Sequence, residues 1–353
     1  MFSTIDVKSK IKDYSISFIE NIDEINKLIN QENSITIIDK TVKKLFFRYI
    51  DVKKIIELES NEQIKTLEVS QKILKIFSDF NVNSKSIIIV IGGGILQDLI
   101  GFCASIYNRG VDYILIPTTL LSQTDSCVGG KTSINFNNKK NILGTFYPPS
   151  KIIIYTKFIQ TLTKLDLFSG IGEIFKFYIL QAKIKQFPSD ISDFKTLEKN
   201  IAKCLKYKNT ILQKDEFDKK ERKFLNFGHT FAHALESTSN YKIPHGISVI
   251  IGCMIAIEIS HQTFANVSDY QKIINIGSEL IKKSINFNIE EKWFDFDVLS
   301  PIIKADKKNT DCINMILINA HEPVLYKINN LEILKKSVNK IYENIRLYNS
   351  ISS

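Results

Sequence analysis

Histidine and cysteine are both scarce in this chain, five of each among 353 residues. The cysteines (Cys103, Cys127, Cys204, Cys253, Cys312) are odd in number, far apart and include no CxxC pair. That argues against a disulfide framework and a cysteine zinc site, and for a reducing compartment. The first residues, MFSTIDVKSKIKDYSIS, lack the apolar stretch of a secretory signal, so none is expected. No apolar run looks long enough to span a bilayer, the longest lying around 247–257. Internal repeats, low-complexity linkers, arginine-rich tracts and aromatic-basic repeats are all missing. The net charge of +9 and the pI near 9.0 therefore do not point to a nucleic-acid partner. Lysines alternate with acids instead, as in KDEFDKKERK at 214–223. A small anionic substrate is a better use for the excess positive charge. These absences together lead us to expect a cytoplasmic protein with neither a nucleic-acid nor a membrane partner.

What is present suits a large globular protein. With 44% hydrophobic and 24% charged residues, the chain has material for two packed domains. Its first part alternates strand patterns (14–19, 34–39, 86–91, 113–116) with helical ones (23–30, 62–80, 95–107). Such alternation implies a parallel sheet covered by helices. From about Thr156 helical spacing dominates, at 170–182, 196–213, 219–237, 246–264, 268–284 and 331–348. A boundary there gives an α/β domain over 1–155 and a helical domain over 156–353. The segment 126–150 reads as a long polar loop, and loops of that length in a compact domain are usually functional.

Four stretches carry chemistry. In LNFGHTFAHALE (225–236), His229 and His233 stand one helical turn apart on one face, a spacing suited to zinc or to two packed helix histidines. Three of the five histidines, His229, His233 and His245, cluster here, which favours the metal. In GIGEIFKF (170–177), Glu173 and Lys176 share one face among apolar neighbours, where a charge is costly unless paired or metal-bound. Glu173 is the expected third ligand, and a carboxylate with two imidazoles leaves a position open for catalysis. GGGILQD (92–98) follows a buried strand and opens a helix, which suits a pyrophosphate or a tight turn. Asp39 ends an earlier strand, where it fits a ribose hydroxyl or a helix N-cap equally. Finally, PTTLLSQTDSCVGGKTSIN (117–135) and Lys140-Asn141 gather hydroxyls, an acid, glycines and lysines suited to phosphate or carboxylate.

Taken together these motifs resemble the 3-dehydroquinate synthases, within the wider sugar phosphate cyclases, from about Asp39 to Lys308. The resemblance also rests on YxRG at 107–110, RxxLNFGHTxxHAxE at 222–236, His245-Gly246 and DKK at 306–308. It implies a Rossmann-like parallel-sheet domain, an all-α domain and an active site in the cleft between them. It implies metal ligands Glu173, His229 and His245, with His233 beside the substrate rather than on the metal. Asp125, Lys176, Lys208, Asn226 and His233 fall at catalytic positions. Arg109, Lys131, Asn141, Arg222 and the Lys307-Lys308 pair fall at substrate positions, Arg109 reaching across a homodimer interface. Asp39, Glu62, Lys65, Gly93, Gly94, Asp98, Thr118, Thr119, Lys131 and Lys140 match positions that bind NAD. The implied cofactors are NAD and Zn2+ or Co2+. The implied reaction is the cyclisation of 3-deoxy-D-arabino-heptulosonate 7-phosphate to 3-dehydroquinate with phosphate elimination, in aromatic amino acid biosynthesis. Gln97 departs from a usual glycine, and 135–149 is similar to cyclases of sedoheptulose 7-phosphate. A cyclase of that kind and a metal-dependent polyol dehydrogenase are the alternatives, the lysine cluster speaking against the second.

Overall fold

The computed structural model describes residues 4–47, 55–137, 139–284, 289–306 and 312–350. The chain divides into two compact units, one made of Met1–Leu162 with Ile201–Phe217, the other of Thr163–Asn200 with Asp218–Ser353. Residues 201–217, which the sequence reading gave to the second domain, thus cluster with the first.

The first unit holds strands Ile5–Val7 (β1), Tyr14–Phe18 (β2), Ser34–Asp39 (β3), Ile55–Leu58 (β4), Ile87–Gly92 (β5), Tyr113–Pro117 (β6), Lys131–Phe136 (β7), Lys139–Phe146 (β8) and Lys151–Ile154 (β9). Seven of them form one sheet in the order β1-β2-β9-β6-β5-β3-β4, parallel except at the β1–β2 edge. The central strands are buried almost throughout, so both faces demand apolar β-branched residues, which explains their unbroken isoleucine runs. Helices Asp23–Ile29 (α1), Lys40–Phe46 (α2), Leu67–Asp79 (α3) and Gly94–Ile106 (α4) connect them. One face of the core gathers Ile38, Ile91, Ile116 and Ile153 around Phe158, whose ring meets Phe46 edge-on at 4.8 Å.

The chain passes from β3 to β4 on one side, then returns so that β5 pairs with the other side of β3. Strand order therefore reverses between β3 and β5. Ile38 pairs with Ile91 and Gly92 with Pro117, so the carboxyl ends of β3, β5 and β6 emerge together. In open α/β sheets such a reversal is where ligands bind.

The segment 126–150 is not the loop that was expected. Its middle is an antiparallel hairpin of β7 and β8. Thr132 and Ile134 turn inward, but the alternation is short and a register shift interrupts it between Ile134 and Phe136, which hides the strand pattern among Asn and Lys.

The second unit is built on helices Lys164–Leu180 (α5), the first part of Phe194–Lys214 (α6), His229–Thr238 (α7), His245–Phe264 (α8), Tyr270–Ser284 (α9), Phe296–Asp306 (α10) and Leu331–Ser350 (α11). A hairpin of Ile313–Asn319 (β10) and Glu322–Ile328 (β11) adds a strand pair that the helical reading did not include. The helix expected at 219–237 is broken. A 3-10 turn covers Glu221–Asn226, and Gly228 at φ 77° separates it from α7. α8 is long and apolar enough to cross a membrane by length and composition, contrary to the sequence estimate, yet 78% of that stretch is buried inside the protein. It packs against α5, α7, α9, α11 and β10 and serves as the unit's core helix.

Near the end of α8 the buried Glu258 ties three helices together. Its carboxylate accepts hydrogen bonds from Tyr270 Oη on α9, from Gln262 Nε2 at 2.9 Å and from Lys340 Nζ on α11 at 2.9 Å. Burial pushes this carboxyl up, but the donors outweigh it and hold it below its ordinary value. A depressed carboxyl contributes stability above its unfolded pKa and loses it as pH falls through the folded one. Glu258→Ala should therefore cost on the order of 3 kcal/mol at pH 7. Denaturant titrations of Glu258→Gln should also show a shallower loss of stability than wild type below about pH 4.3.

Candidate active site

The site in the second unit begins with two charges inside an apolar helix. Glu173 and Lys176 lie one turn apart on α5, each side chain 1% exposed, and form an ion pair through Glu173 Oε2. The other carboxylate oxygen, Oε1, faces two imidazoles. His245 Nε2 stands 3.3 Å from it and His229 Nε2 3.6 Å. One donor atom from each of Glu173, His229 and His245 lies within 4.8 Å of the others.

Backbone contacts bring these three together. His229 and His245 are the first residues of α7 and α8. The start of α8 presses on α5 so closely that a Cβ on Gly172 would stand 2.0 Å from Gly246 O, and one on Gly246 1.7 Å from Ser169 O. Gly246 N–H donates to Ser169 Oγ at 3.1 Å across the same contact. The left-handed Gly228 likewise lets the turn before α7 settle on α8, where a Cβ would meet Cys253 N at 2.7 Å.

Each imidazole is held by its other nitrogen. His229 Nδ1 lies 3.2 Å from Phe227 O, and His245 Nδ1 lies 2.6 Å from Glu236 Oε1. A carbonyl and a carboxylate only accept, so Nδ1 carries a proton in both rings, which leaves Nε2 as the atom each ring can offer a cation. Burial, then the nearby Lys176 charge, lowers His229 to about 3, so it is neutral. Its Nε2 lone pair therefore faces a carboxylate oxygen, acceptor against acceptor, an arrangement that calls for a cation. Burial lowers His245, but hydrogen bonds to Glu173 and Glu236 outweigh it and raise it to about 10. For Glu173 burial also opposes the net effect, while Lys176 and the two imidazoles bring the carboxyl well below its usual range. Donors around a tetrahedral ion with bonds of about 2.1 Å sit roughly 3.4 Å apart, which matches both Glu-to-His separations. One carboxylate and two imidazoles fit a divalent zinc-like ion.

His233 is not part of this donor set. Its ring lies 5.5 Å from that of His229 and 6.3 Å from that of His245, one turn along α7, and it is exposed. In the preceding turn Arg222 is buried and Asn226 exposed. Lys307 and Lys308 lie outside the described residues. Glu236 was not among the expected site residues. Its position seven after His229 puts both on one face of α7, and its place as the last residue of the 222–236 motif was the available signal.

In the first unit Asp39, Gly93, Gly94, Thr118 and Thr119, five of the expected cofactor residues, stand at or just past the carboxyl ends of β3, β5 and β6. Asp39 Oδ1 caps α2, accepting from Thr41 N at 2.8 Å and Val42 N at 3.0 Å. Gly93 precedes α4 with no side-chain cap, leaving the helix start without one. A Cβ on Gly93 would crowd Thr119 Cγ2 at 3.1 Å, and one on Gly94 Ser126 Oγ at 3.2 Å. Thr118 is buried, and its N–H donates to Gly92 O. Such a glycine turn at a helix start fits a dinucleotide's phosphates. Gln97, in place of a glycine, is buried and donates through Nε2 to Gly92 O at 3.2 Å.

A second group meets around the buried Lys65. Its ammonium bonds Asp98 Oδ2 at 2.8 Å and Asn141 Oδ1 at 2.5 Å, with Glu62 at 4.0 Å. The structure thus joins three expected cofactor residues to one expected substrate residue. Burial leads in raising the Asp98 carboxyl, with Lys65 opposing. Asp125 pairs with Lys208 at 2.5 Å, and Lys208 Nζ also donates to the Asp125 carbonyl at 2.6 Å. Lys131 and Lys140 lie exposed on the hairpin, and Arg109 is exposed at φ 63°.

Known proteins align with both halves. The 3-dehydroquinate synthase N-terminal family matches residues 55–169, and the 3-dehydroquinate synthase C-terminal family matches 170–309. A 3-dehydroquinate synthase of Clostridium tetani is 35% identical over 337 residues, covering 92% of this chain and 86% of its own. Among solved structures, a 2-deoxy-scyllo-inosose synthase complexed with carbaglucose-6-phosphate, NAD+ and Co2+ superposes with a TM-score of 0.80 at 22% identity, covering 96% of this chain and all of its own. A 2-epi-5-epi-valiolone synthase from Streptomyces hygroscopicus with NAD+ and Zn2+ bound gives 0.77 at 20% identity, over 95% and 98%. These two likenesses speak for the fold. The family matches, together with a third of all residues identical along almost the whole length, place the chain in the 3-dehydroquinate synthase family.

Proposed function

We propose that the chain is a lyase that converts 3-deoxy-D-arabino-heptulosonate 7-phosphate to 3-dehydroquinate and phosphate. The observation that carries this reading is the Glu173, His229, His245 donor set in a member of this family. When bound, Zn2+ or Co2+ in that set would supply Lewis acidity toward the substrate's hydroxyl and ketone oxygens, and NAD would accept a hydride and return it. We assign metal and substrate binding to 156–353 and NAD binding to 1–155, through Asp39, Glu62, Lys65, Gly93, Gly94, Asp98, Thr118, Thr119, Lys131 and Lys140.

The chain's own side chains do the rest. The substrate carries a phosphate and a carboxylate, and Lys131, Lys208 and Arg222 supply counter-charges for them, the planar guanidinium suiting bidentate contact. Asp125 fixes the Lys208 ammonium in place. Lys176, held by Glu173, presents an oriented cation where negative charge builds on oxygen. His233 exchanges a proton with the oxidised alcohol through its imidazole, while Asn226 and Asn141 hydrogen-bond substrate hydroxyls. Lys307 or Lys308 adds a further anion contact. The departing phosphate is basic enough to take the C6 proton itself, so the protein acts mainly by orientation and charge. We also propose a cytoplasmic homodimer in which Arg109, presented by the left-handed run Asn108 (φ 48°), Arg109 (φ 63°) and Gly110 (φ 120°), contributes to the neighbouring subunit's site.

Phosphate release, measured with catalytic NAD+ and Zn2+, should occur with 3-deoxy-D-arabino-heptulosonate 7-phosphate and without NADH accumulating. Release from sedoheptulose 7-phosphate alone would reassign the substrate, and NADH building up on a polyol would reassign the reaction. Lys176→Ala and His245→Ala should each lower kcat by roughly 10²–10³-fold. Metal analysis should find His245→Ala depleted of metal, and near-normal turnover in either variant would remove the site assignment.

A further inference from the structure

We infer that Glu236 is a positioning residue for the metal centre: it holds His245 in the orientation and tautomer that let Nε2 bind the ion. The inference rests on the metal reading above and extends it to a residue that is not a ligand.

Four observations carry it. Glu236 Oε1 lies 2.6 Å from His245 Nδ1, while the opposite nitrogen of the same ring points at Glu173 Oε1 from 3.3 Å. Glu236 is itself buried, its side chain 10% exposed, so the bond is shielded from competing water. His245 is 33% exposed and is the first residue of its helix. An imidazole so placed is partly open to solvent, and besides the neighbouring His229 and His233 rings its orientation rests on the hydrogen bond to Glu236. Finally, Glu236 sits two turns after His229 on α7. One helix therefore supplies a ligand directly and orients the other ligand through a carboxylate. His229 needs no such partner because the Phe227 carbonyl, in its own preceding turn, performs the same task.

The two anchors differ in consequence. A carbonyl fixes the proton on Nδ1 and no more. A carboxylate fixes the proton and also pushes electron density toward Nε2, which strengthens the bond to a cation. Removing the charge while keeping the acceptor should then cost part of the affinity, and removing the acceptor should cost more.

The test uses the full chain stripped of metal, titrated with Co2+ while the visible absorption of the bound ion is followed, and with Zn2+ in competition with a chromophoric chelator. Wild type should take up one ion per chain. Glu236→Gln, which still accepts from Nδ1–H, should bind several-fold more weakly with a similar Co2+ spectrum. Glu236→Ala should bind roughly 10–100-fold more weakly with an altered spectrum. NAD+ affinity, read separately by fluorescence quenching, should stay within about twofold in both variants. Wild-type metal affinity in both variants would overturn the inference and leave the metal reading intact. Equal losses of metal and NAD+ affinity in Glu236→Gln would also overturn it, since they mark a structural role. A wild-type chain that takes up no metal would remove the metal reading and this inference with it.

Discussion

A buried carboxylate that cannot be left alone is the constraint on which the second unit depends. Glu173 sits in α5 among Ile171, Ile174, Phe175 and Phe177, all buried. An isolated charge there would cost several kcal/mol. Every nearby arrangement answers that cost. Lys176 takes one oxygen, two helices begin with histidines aimed at the other, and a second carboxylate stands behind one of those histidines. The same arrangement leaves the His229 lone pair facing an oxygen, a place suited to a cation. Structure and chemistry impose the same requirement here.

The first unit meets a different requirement with backbone rather than charge. Its parallel strands end together where the strand order reverses, and a glycine turn there leads into a helix start with no side-chain cap. Charge enters at Lys65, which gathers Asp98, Asn141 and Glu62 and so links the turn before α3 and helix α4 to the β7–β8 hairpin. The hairpin's lysines are exposed, while the lysine that organises the hairpin is buried.

Much of this was legible in the sequence, for reasons particular to each segment. β3 was read at its observed bounds because a strand buried on both faces leaves an unbroken β-branched run. The Lys151–Ile154 strand carries only three isoleucines and was not read, and the polar β7–β8 hairpin, which gave no such run, was taken for a loop. Glu173 and Lys176 stood out because charges amid aromatic and aliphatic neighbours need a reason. The HxxxH spacing was misleading by itself. Four-residue spacing puts His229 and His233 on one face of α7, but Gly228 starts the helix at His229 and turns that ring toward Glu173, leaving its neighbour exposed. The true partner, His245, opens a different helix, and no local spacing encodes a contact made by two helix starts. The motif resemblance supplied that pairing. Glu236 was missed because an acid at the end of a short helix reads as surface until the ring behind it is seen.

The contact between Gly172 and Gly246 bears on how such a site is inherited. Carbonyl oxygens stand about where a first side-chain carbon would be at both positions. No other amino acid fits either place unless the two helices part, and parting them carries His245 away from Glu173. Variation at these points would have to arrive as a coordinated change in several residues at once. The spacing of the two helix backbones that carry the donor groups is thus written into the main chain, and Glu236 sets the ring's orientation upon it.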